Sequence, residues 1–369
     1  MSPRGLAVIG GGLAGLSVAV MRAQAGGAVH IFEGSPRFGG QLQTEQHAGF
    51  VVEQGAEGFV ARSEAVPRLA RSLGIEGELV DQSVHRSFAW DGQALAELSP
   101  GEAARLLGFQ VPVEELGKGI RSFRWGMEQL ARALVARLRS PELASRVELV
   151  TNAPVRSVRK SSGGVRLVFE PDARSAEFDQ VVIATHAAGA ARLLDAELGG
   201  VSAALAGSRT LSSVTVSLAF ESDGVRYPNE GSGFIVLPEA CEQAFRACSF
   251  SSCKLPNRAP PGKHLLRVFL RPDEHQLQAV GDAELASMAQ SCLERALGQR
   301  IDPLWSWVSR WANALPVFDP PHTAHVAALE EALLSEFGHA RVLLSGAAFH
   351  GSGIDAAVRS AERVARALA

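Results

Sequence analysis

Four consecutive apolar residues, Leu6, Ala7, Val8 and Ile9, run straight into Gly10-Gly11-Gly12-Leu13-Ala14-Gly15. A short unbroken apolar run is the pattern of a strand buried on both faces of a parallel sheet. In the G-x-G-x-x-G that follows, Gly10 permits a tight turn, Gly12 lets a pyrophosphate approach the backbone, and Gly15 lets helix and strand pack closely. A helix is expected over residues 13–25, stopped by Gly26 and Gly27, with its N-terminal amides and dipole facing the phosphates. Residues 28–32 read as a second strand that delivers Glu33 to the point where a carboxylate accepts hydrogen bonds from an adenosine ribose. The motif alone says little. A strand before it, a helix after it and an acid at the end of the next strand give it meaning.

Composition limits the alternatives. The chain has 369 residues, more than one simple core accommodates, so two interleaved domains are expected. A formal net charge of -3 carries no basic field for nucleic acid. Its four cysteines form no C-x-x-C pair, and His322 and His325 complete no zinc pattern, so free thiols and no metal are expected. Arg4, the apolar run that follows it and Ala23-Gln24-Ala25 imitate a secretory leader. The fixed glycine spacing assigns the same residues to a strand, turn and helix instead. No stretch reaches the roughly 18 uninterrupted apolar residues of a membrane span, and a cytoplasmic location is expected.

Beyond Glu33 comes an E-x-x-x-R-x-G-G, with Gly34, Arg37, Gly39 and Gly40 followed by Gln41. Residues 50–55 lead to Gly55-Ala56-Glu57. Residues 146–150 look like a third parallel strand, followed by Asn152-Ala153-Pro154-Val155. A strand over 178–185 ends in Ala184-Thr185, with His186 behind it. Near the C-terminus, a strand over 341–345 precedes Gly346-Ala347-Ala348-Phe349-His350-Gly351-Ser352-Gly353-Ile354 and a helix to about residue 368. Together these segments resemble the superfamily of FAD-binding amine oxidases and protoporphyrinogen oxidases, whose terminal segment reads G-N-A-Y-x-G-x-G. The resemblance implies an α/β chain. A Rossmann-like FAD-binding domain of the glutathione-reductase type would be interleaved with a smaller α+β substrate domain on a mixed sheet. It implies FAD as the cofactor, held by Gly10, Gly12, Leu13, Ala14, Gly15, Glu33, Gly34, Arg37, Gly39, Gly40, Gly55, Ala56, Glu57, Val155, Ala184, Thr185, Trp311, Gly346, Gly353, Ile354 and Val358. Val155 would meet the adenine, and the last helix would face the flavin.

The middle of the chain changes character. Residues 212–220 alternate polar and apolar, as a half-buried antiparallel strand does. Strands over 233–237, 245–250, 264–270 and 304–311 and a helix over 282–297 complete a mixed sheet. The expected division is 1–82, 122–200 and 318–369 for the cofactor domain, with 83–121 and 201–317 for the substrate domain. Trp305, Trp307 and Trp311 share one strand face, as a core stripe or a substrate wall. Trp311 matches the family tryptophan before A-x-P, and His322 stands where members often carry histidine. The segments 122–130, 258–262 and 265–269 are similar to those of protoporphyrinogen oxidases in particular. In that family a long helical region lies between the segments around Arg86 and Met127. Here only about 35 residues separate Gly92 from Gly126, the scale of one supersecondary unit. The shortening implies a soluble protein with a more open or altered pocket.

No second G-x-G-x-x-G lies between a strand and a helix. Electrons are therefore expected from an organic substrate and are expected to leave to oxygen or another acceptor. The resemblance implies oxidation of CH–NH or CH–CH units by hydride transfer to the flavin. The substrate would be a porphyrinogen, or alternatively a small cyclic amine, a pyrroline or a carrier-bound intermediate. A non-catalytic FAD-binding partner protein is the remaining reading. Arg86, before Trp90-Asp91-Gly92, resembles the family arginine that can pair with a substrate carboxylate, or else stands solvated beside a hairpin. His350 is the candidate proton shuttle, or a satisfied structural histidine. Glu57 and Arg62 are further pocket candidates.

Overall fold

The computed structural model describes residues 5–60, 63–106, 119–240, 244–339 and 341–368. Arg62 lies outside the described residues.

The apolar run Leu6–Ile9 is the middle strand of a five-stranded parallel sheet. Val29–Phe32 and then Val147–Val150 pair on one side of it, and Gln180–Ile183 and then Val342–Leu344 on the other. A strand flanked on both edges and covered on both faces has no exposed position, hence four apolar residues without alternation. The helix Leu13–Gln24 follows the turn directly. It ends in a Schellman arrangement, the amides of Gly26 and Gly27 donating to the carbonyls of Ala23 and Arg22. The helices Glu128–Leu138 and Ile354–Ala367 pack beside it through Leu130, Leu134, Val358 and Ala361. The opposite face is covered by the helices Ala187–Ala206 and Pro320–Phe337. An antiparallel sheet of Val155–Lys160, Val165–Phe169 and Ser175–Phe178 completes that cover.

A second, seven-stranded sheet runs in the order Trp305–Pro316, Thr210–Glu221, Lys263–Leu270, Phe245–Ser249, Gly231–Val236, Arg86–Trp90, Leu95–Glu97. The helix Asp282–Leu297 closes one face, where Leu285, Ala289 and Leu293 meet Val214, Val216, Phe220 and Val268. The half-buried strand expected over 212–220 is instead buried from Val214 through Phe220, including Thr215 and Ser217. The cause is the strand Phe50–Glu53, which brings Phe50 and Val52 against Ala219, Leu265, Trp305 and Trp307 on the other face. Two expected boundaries also move. Position 201 falls inside the helix Ala187–Ala206, whose Leu205 belongs to the core around the parallel sheet. The strand Ile120–Phe123 pairs with Phe59–Val60 and Leu79–Asp81 rather than with the large sheet. Among the described residues no helix is long and apolar enough to cross a membrane.

Candidate functional site

The site is built from the backbone at the carboxyl ends of the parallel strands. A Cβ on Gly15 would lie 2.0 Å from the Gly10 carbonyl oxygen, so helix and strand approach as only glycine allows. Gly12 caps the helix without any side chain of its own. It faces a second glycine, Gly40, whose missing Cβ would lie 3.1 Å from the Gly12 Cα. The Gly39 amide donates to the Gly11 carbonyl at 2.8 Å and fastens the two loops together. Glu33, at the end of the second strand, accepts from the amides of Gly11 at 2.7 Å and Ser35 at 2.8 Å. Asn152 and Ala153 donate to the carbonyls of Ser35 and Glu33, which brings Gly34 against Pro154 and anchors the start of the strand at Val155. Val155 itself packs with Phe32 and Phe169. Ala184 joins the group by donating to the Ile9 carbonyl, with Thr185 beside Gly10.

The C-terminal loop reaches the same place. A Cβ on Gly346 would stand 3.5 Å from that of Ala14, and the Gly346 amide donates to the Ser360 hydroxyl at 3.0 Å. Gly353 precedes Ile354, the first residue of the last helix. Leu13 and Ile354 pack into the core between the first and last helices. Val358 is fully buried in that core, so its side chain packs one helix on another and presents nothing to the cradle. An uncharged, amide-lined cradle at a helix N-terminus, with one carboxylate at the end of the next strand, fits the diphosphate and ribose of a dinucleotide. Arg37 shapes this cradle from behind. Its guanidinium donates to the carbonyls of Phe38 and Gly40 and to the Gln43 side chain at 3.1, 2.5 and 2.8 Å.

Behind the cradle, residues 54–57 form a strap gripped by the large sheet. The Gln54 carbonyl accepts from the Trp311 indole at 2.6 Å and from Arg267 at 3.1 Å, and the Gly55 carbonyl accepts from Arg267 at 2.7 Å. Gly55 in turn lies flush on Gln41: a Cβ there would meet the Gln41 carbonyl oxygen at 1.8 Å. Ala56 sits between these two anchors and Glu57. The Glu57 carboxylate accepts from the hydroxyls of Ser249 (2.8 Å) and Ser251 and from Lys254 at 3.1 Å. Burial opposes its ionisation, but Lys254, Arg267 and the two hydroxyls outweigh burial and hold its pKa down to about 2. Glu53, just before the strap, accepts from the Met127 amide at 2.7 Å and the Thr44 hydroxyl at 2.8 Å. Burial dominates there and raises its pKa to about 7, even with Arg258 at 3.5 Å.

Several expected roles do not match these positions. Arg86 is half-exposed and already pairs with two carboxylates, Glu97 and Glu230, each at 2.6 Å. His350 turns between the last two helices, with Nε2 2.8 Å from Glu330 and Nδ1 3.3 Å from Ser360, and Arg363 donates to the ring. Both candidates are spent on neighbouring side chains rather than on the cradle. Glu57 faces Ser249 of the large sheet and Lys254 of the short helix Ser251–Lys254, not the glycine loops. His186 caps the helix Ala187–Ala206, accepting from the Gly189 amide at 3.1 Å, and burial lowers its pKa. His322 is buried and its Nε2 lies 2.9 Å from the Ala348 carbonyl, so it supports the C-terminal loop. Among the described residues no cluster could hold a metal ion. Glu53, Lys254 and Arg258 belong to no motif or spacing that marks them as site residues. Lys254 had a usable signal: it is one of four lysines among 36 basic residues, in a chain that otherwise uses arginine.

A family model for flavin containing amine oxidoreductases matches residues 13–109 and 102–369. A coproporphyrinogen III oxidase of Bacillus subtilis is 24% identical over 447 aligned positions, covering 94% of this chain and 94% of that protein. Those positions outnumber the 369 residues here, so the relative carries segments this chain lacks. Among solved structures, one from Exiguobacterium sp. 255-15 named for protoporphyrinogen oxidase superposes with a TM-score of 0.81, covering 98% of each chain at 22% identity. Cyclohexylamine oxidase from Brevibacterium oxydans superposes with a TM-score of 0.71 at 15% identity, covering 99% of this chain and 98% of its own.

Proposed function

The chain belongs to the family of flavin containing amine oxidoreductases, and from that premise we propose that it is an FAD-dependent oxidase acting on a porphyrinogen. The family is one of enzymes, which sets aside the reading as a non-catalytic partner. Given the flavin of that family, what supports FAD over a flavin mononucleotide is the junction of Glu33 with the segment leading to Val155, which continues the cradle toward an adenosine. In this reading the backbone at Gly12 and Gly40 approaches the diphosphate and Glu33 takes the ribose hydroxyls. Val155 packs against the adenine, and the N-terminal turn of the helix Ile354–Ala367 faces the negative edge of the ring. The flavin supplies the hydride acceptor. The protein's part is to hold the reacting carbon against it and keep the site dry. In this reading the strap serves the second task, with its carbonyls taken by Trp311 and Arg267 and its buried Glu57 by two serines and Lys254. With His350 and Arg86 tied to neighbouring carboxylates, no side chain is assigned as a general base.

The porphyrinogen rests on the relatives named for coproporphyrinogen III oxidation, which match nearly end to end. One observation favours a smaller substrate, a cyclic amine: this chain lacks segments that those relatives carry. A single set of measurements separates the two. Flavin released from the purified protein should be FAD by mass. Anaerobic addition of coproporphyrinogen or protoporphyrinogen should bleach the flavin absorbance, and admission of oxygen should restore it with porphyrin fluorescence. Bleaching by cyclic amines alone would overturn the porphyrinogen and keep the oxidase.

A further inference from the structure

Arg267 is 2% exposed, and it is only partly used. Nη2 donates to the carbonyls of Gln54 and Gly55 and to the Thr215 hydroxyl at 3.1, 2.7 and 3.1 Å. Nε and Nη1 are buried and have no hydrogen-bond partner. An unpaired buried donor costs free energy, and more so on a charged group. The charges around it do not cancel either. Among the described residues, Lys254, Arg258 and Arg267 face Glu53 and Glu57, three cations against two carboxylates. An excess buried cation with unspent donors calls for an anion.

Its position decides what kind. Arg267 stands on the sheet face that also carries Thr215, Ser217, Ser249 and Ser309, directly behind the Gln54–Gly55 carbonyls. The half-buried Phe269 ring lies over the guanidinium, 5.0 Å from its centre. Stacking occupies the guanidinium's face and leaves its edge donors free. An anion delivered to those donors would be shielded from water, where a charge-assisted hydrogen bond is strongest. Arg86, the arginine the sequence points to for this task, already holds two carboxylates at an exposed edge.

We propose that Arg267 anchors a carboxylate of the substrate at the seam between the strap and the seven-stranded sheet. This deepens the oxidase reading and rests on it, but it specifies a carboxylate rather than a porphyrinogen. Two probe pairs keep the claims apart: 3-phenylpropionate with its amide, and coproporphyrin III with its methyl ester. Each is titrated into the flavin-loaded protein, with the flavin difference spectrum reporting binding. In the wild type each acid should bind more tightly than its uncharged counterpart. In Arg267→Met the acids should weaken roughly tenfold to a hundredfold while the amide and ester hold. Arg267→Lys, which keeps the charge, should fall between. That variant also keeps a donor for the strap carbonyls and should retain the flavin content and the unliganded spectrum, whereas Arg267→Met frees those carbonyls and should also lower the denaturation midpoint.

Equal weakening of acid and amide would assign Arg267 to strap support alone and overturn the anchor. Loss or spectral shift of the flavin in Arg267→Lys before any ligand is added would make the cofactor the acceptor and also overturn it. Should Met at this position fail to fold, the acid-over-amide preference of the wild type and its loss in Arg267→Lys decide the matter. Arg267-dependent binding of phenylpropionate without binding of coproporphyrin would sink the porphyrinogen and leave the anchor standing.

Discussion

The glycine cradle and the strap behind it are made of opposite materials. The cradle is almost entirely backbone: glycines that let chains approach, amides that face outward, and one carboxylate at a strand end. The strap is held almost entirely by side chains, with Arg267 and Trp311 on its carbonyls and Lys254 and two serines on Glu57. A backbone cradle presents fixed dipoles and binds without rearrangement. A charged seam joins two sheets through groups that are costly to leave unpaired. The cradle should therefore fail by losing its ligand, with or without stability, and the seam by losing stability while the ligand stays.

The largest expected effect is at Gly15. Gly15→Val puts a branched side chain where a single Cβ already comes within 2.0 Å of the Gly10 carbonyl. The variant should hold no flavin and, because backbone cannot yield as a side chain can, should lose more than the ~1–3 kcal/mol usual for overpacking. Flavin absorbance and a denaturation curve measure both. A yellow, stable Gly15→Val protein would break the distinction at its strongest point.

Next is Glu57→Gln, which leaves Lys254 and Arg267 without their carboxylate. Removing one member of a buried pair costs about 3–5 kcal/mol, so the urea midpoint should fall clearly. The effect has a pH signature. The Glu57 pKa is depressed from 4.5 to about 2, so its stabilisation is fully present above about 4.5 and is lost as pH falls toward 2. The gap between wild type and variant should be constant above that range and close below it. Glu53 acts in the opposite sense: raised from 4.5 to about 7, it lowers stability as pH rises through that interval, in wild type and Glu57→Gln alike. A gap that widened in acid would contradict the assignment of Glu57.

The smallest effect is expected at Arg86. Its two ion pairs are exposed and screened. Arg86→Gln should leave both the denaturation midpoint and the flavin content unchanged. A selective loss of acid binding in that variant would return the substrate-anchoring role to Arg86 and away from the seam.

The same contrast explains what the sequence made legible. The cradle was readable because its requirements are local: Gly10, Gly12, Gly15 and Glu33 sit at fixed offsets from a strand end, and a missing side chain leaves a mark in the sequence. Even the distant Val155 segment could be placed by resemblance. The seam was legible only at Glu57 and Trp311, because Glu53, Lys254, Arg258 and Arg267 are scattered over more than two hundred residues, and only the fold brings them together. Arg86 and His350 show the converse. Each has a fitting residue type at a plausible position, and in the fold each finds partners that no periodicity announces: Glu230 from just before the neighbouring strand Gly231–Val236, Glu330 from the preceding helix. The buried Thr215 and Ser217 of the strand Thr210–Glu221 are hidden from the sequence for the same reason. Alternation records polarity, not whether another segment covers it.

The strand order of the parallel sheet bears on how the molecule is made. Its first strand in sequence is its middle strand in space, and the outer partner Val342–Leu344 and the packing helix Ile354–Ala367 leave the ribosome long after it. Until they arrive, Leu16 and Val20 have no Val358 or Ala361 to meet, and the strand Gln180–Ile183 lacks its outer partner. The N-terminal half is therefore born needing its tail, a topology of long-range contacts that folds slowly. Chains stalled before residue 340 should stay open to protease around the glycine turn, and full-length chains should close.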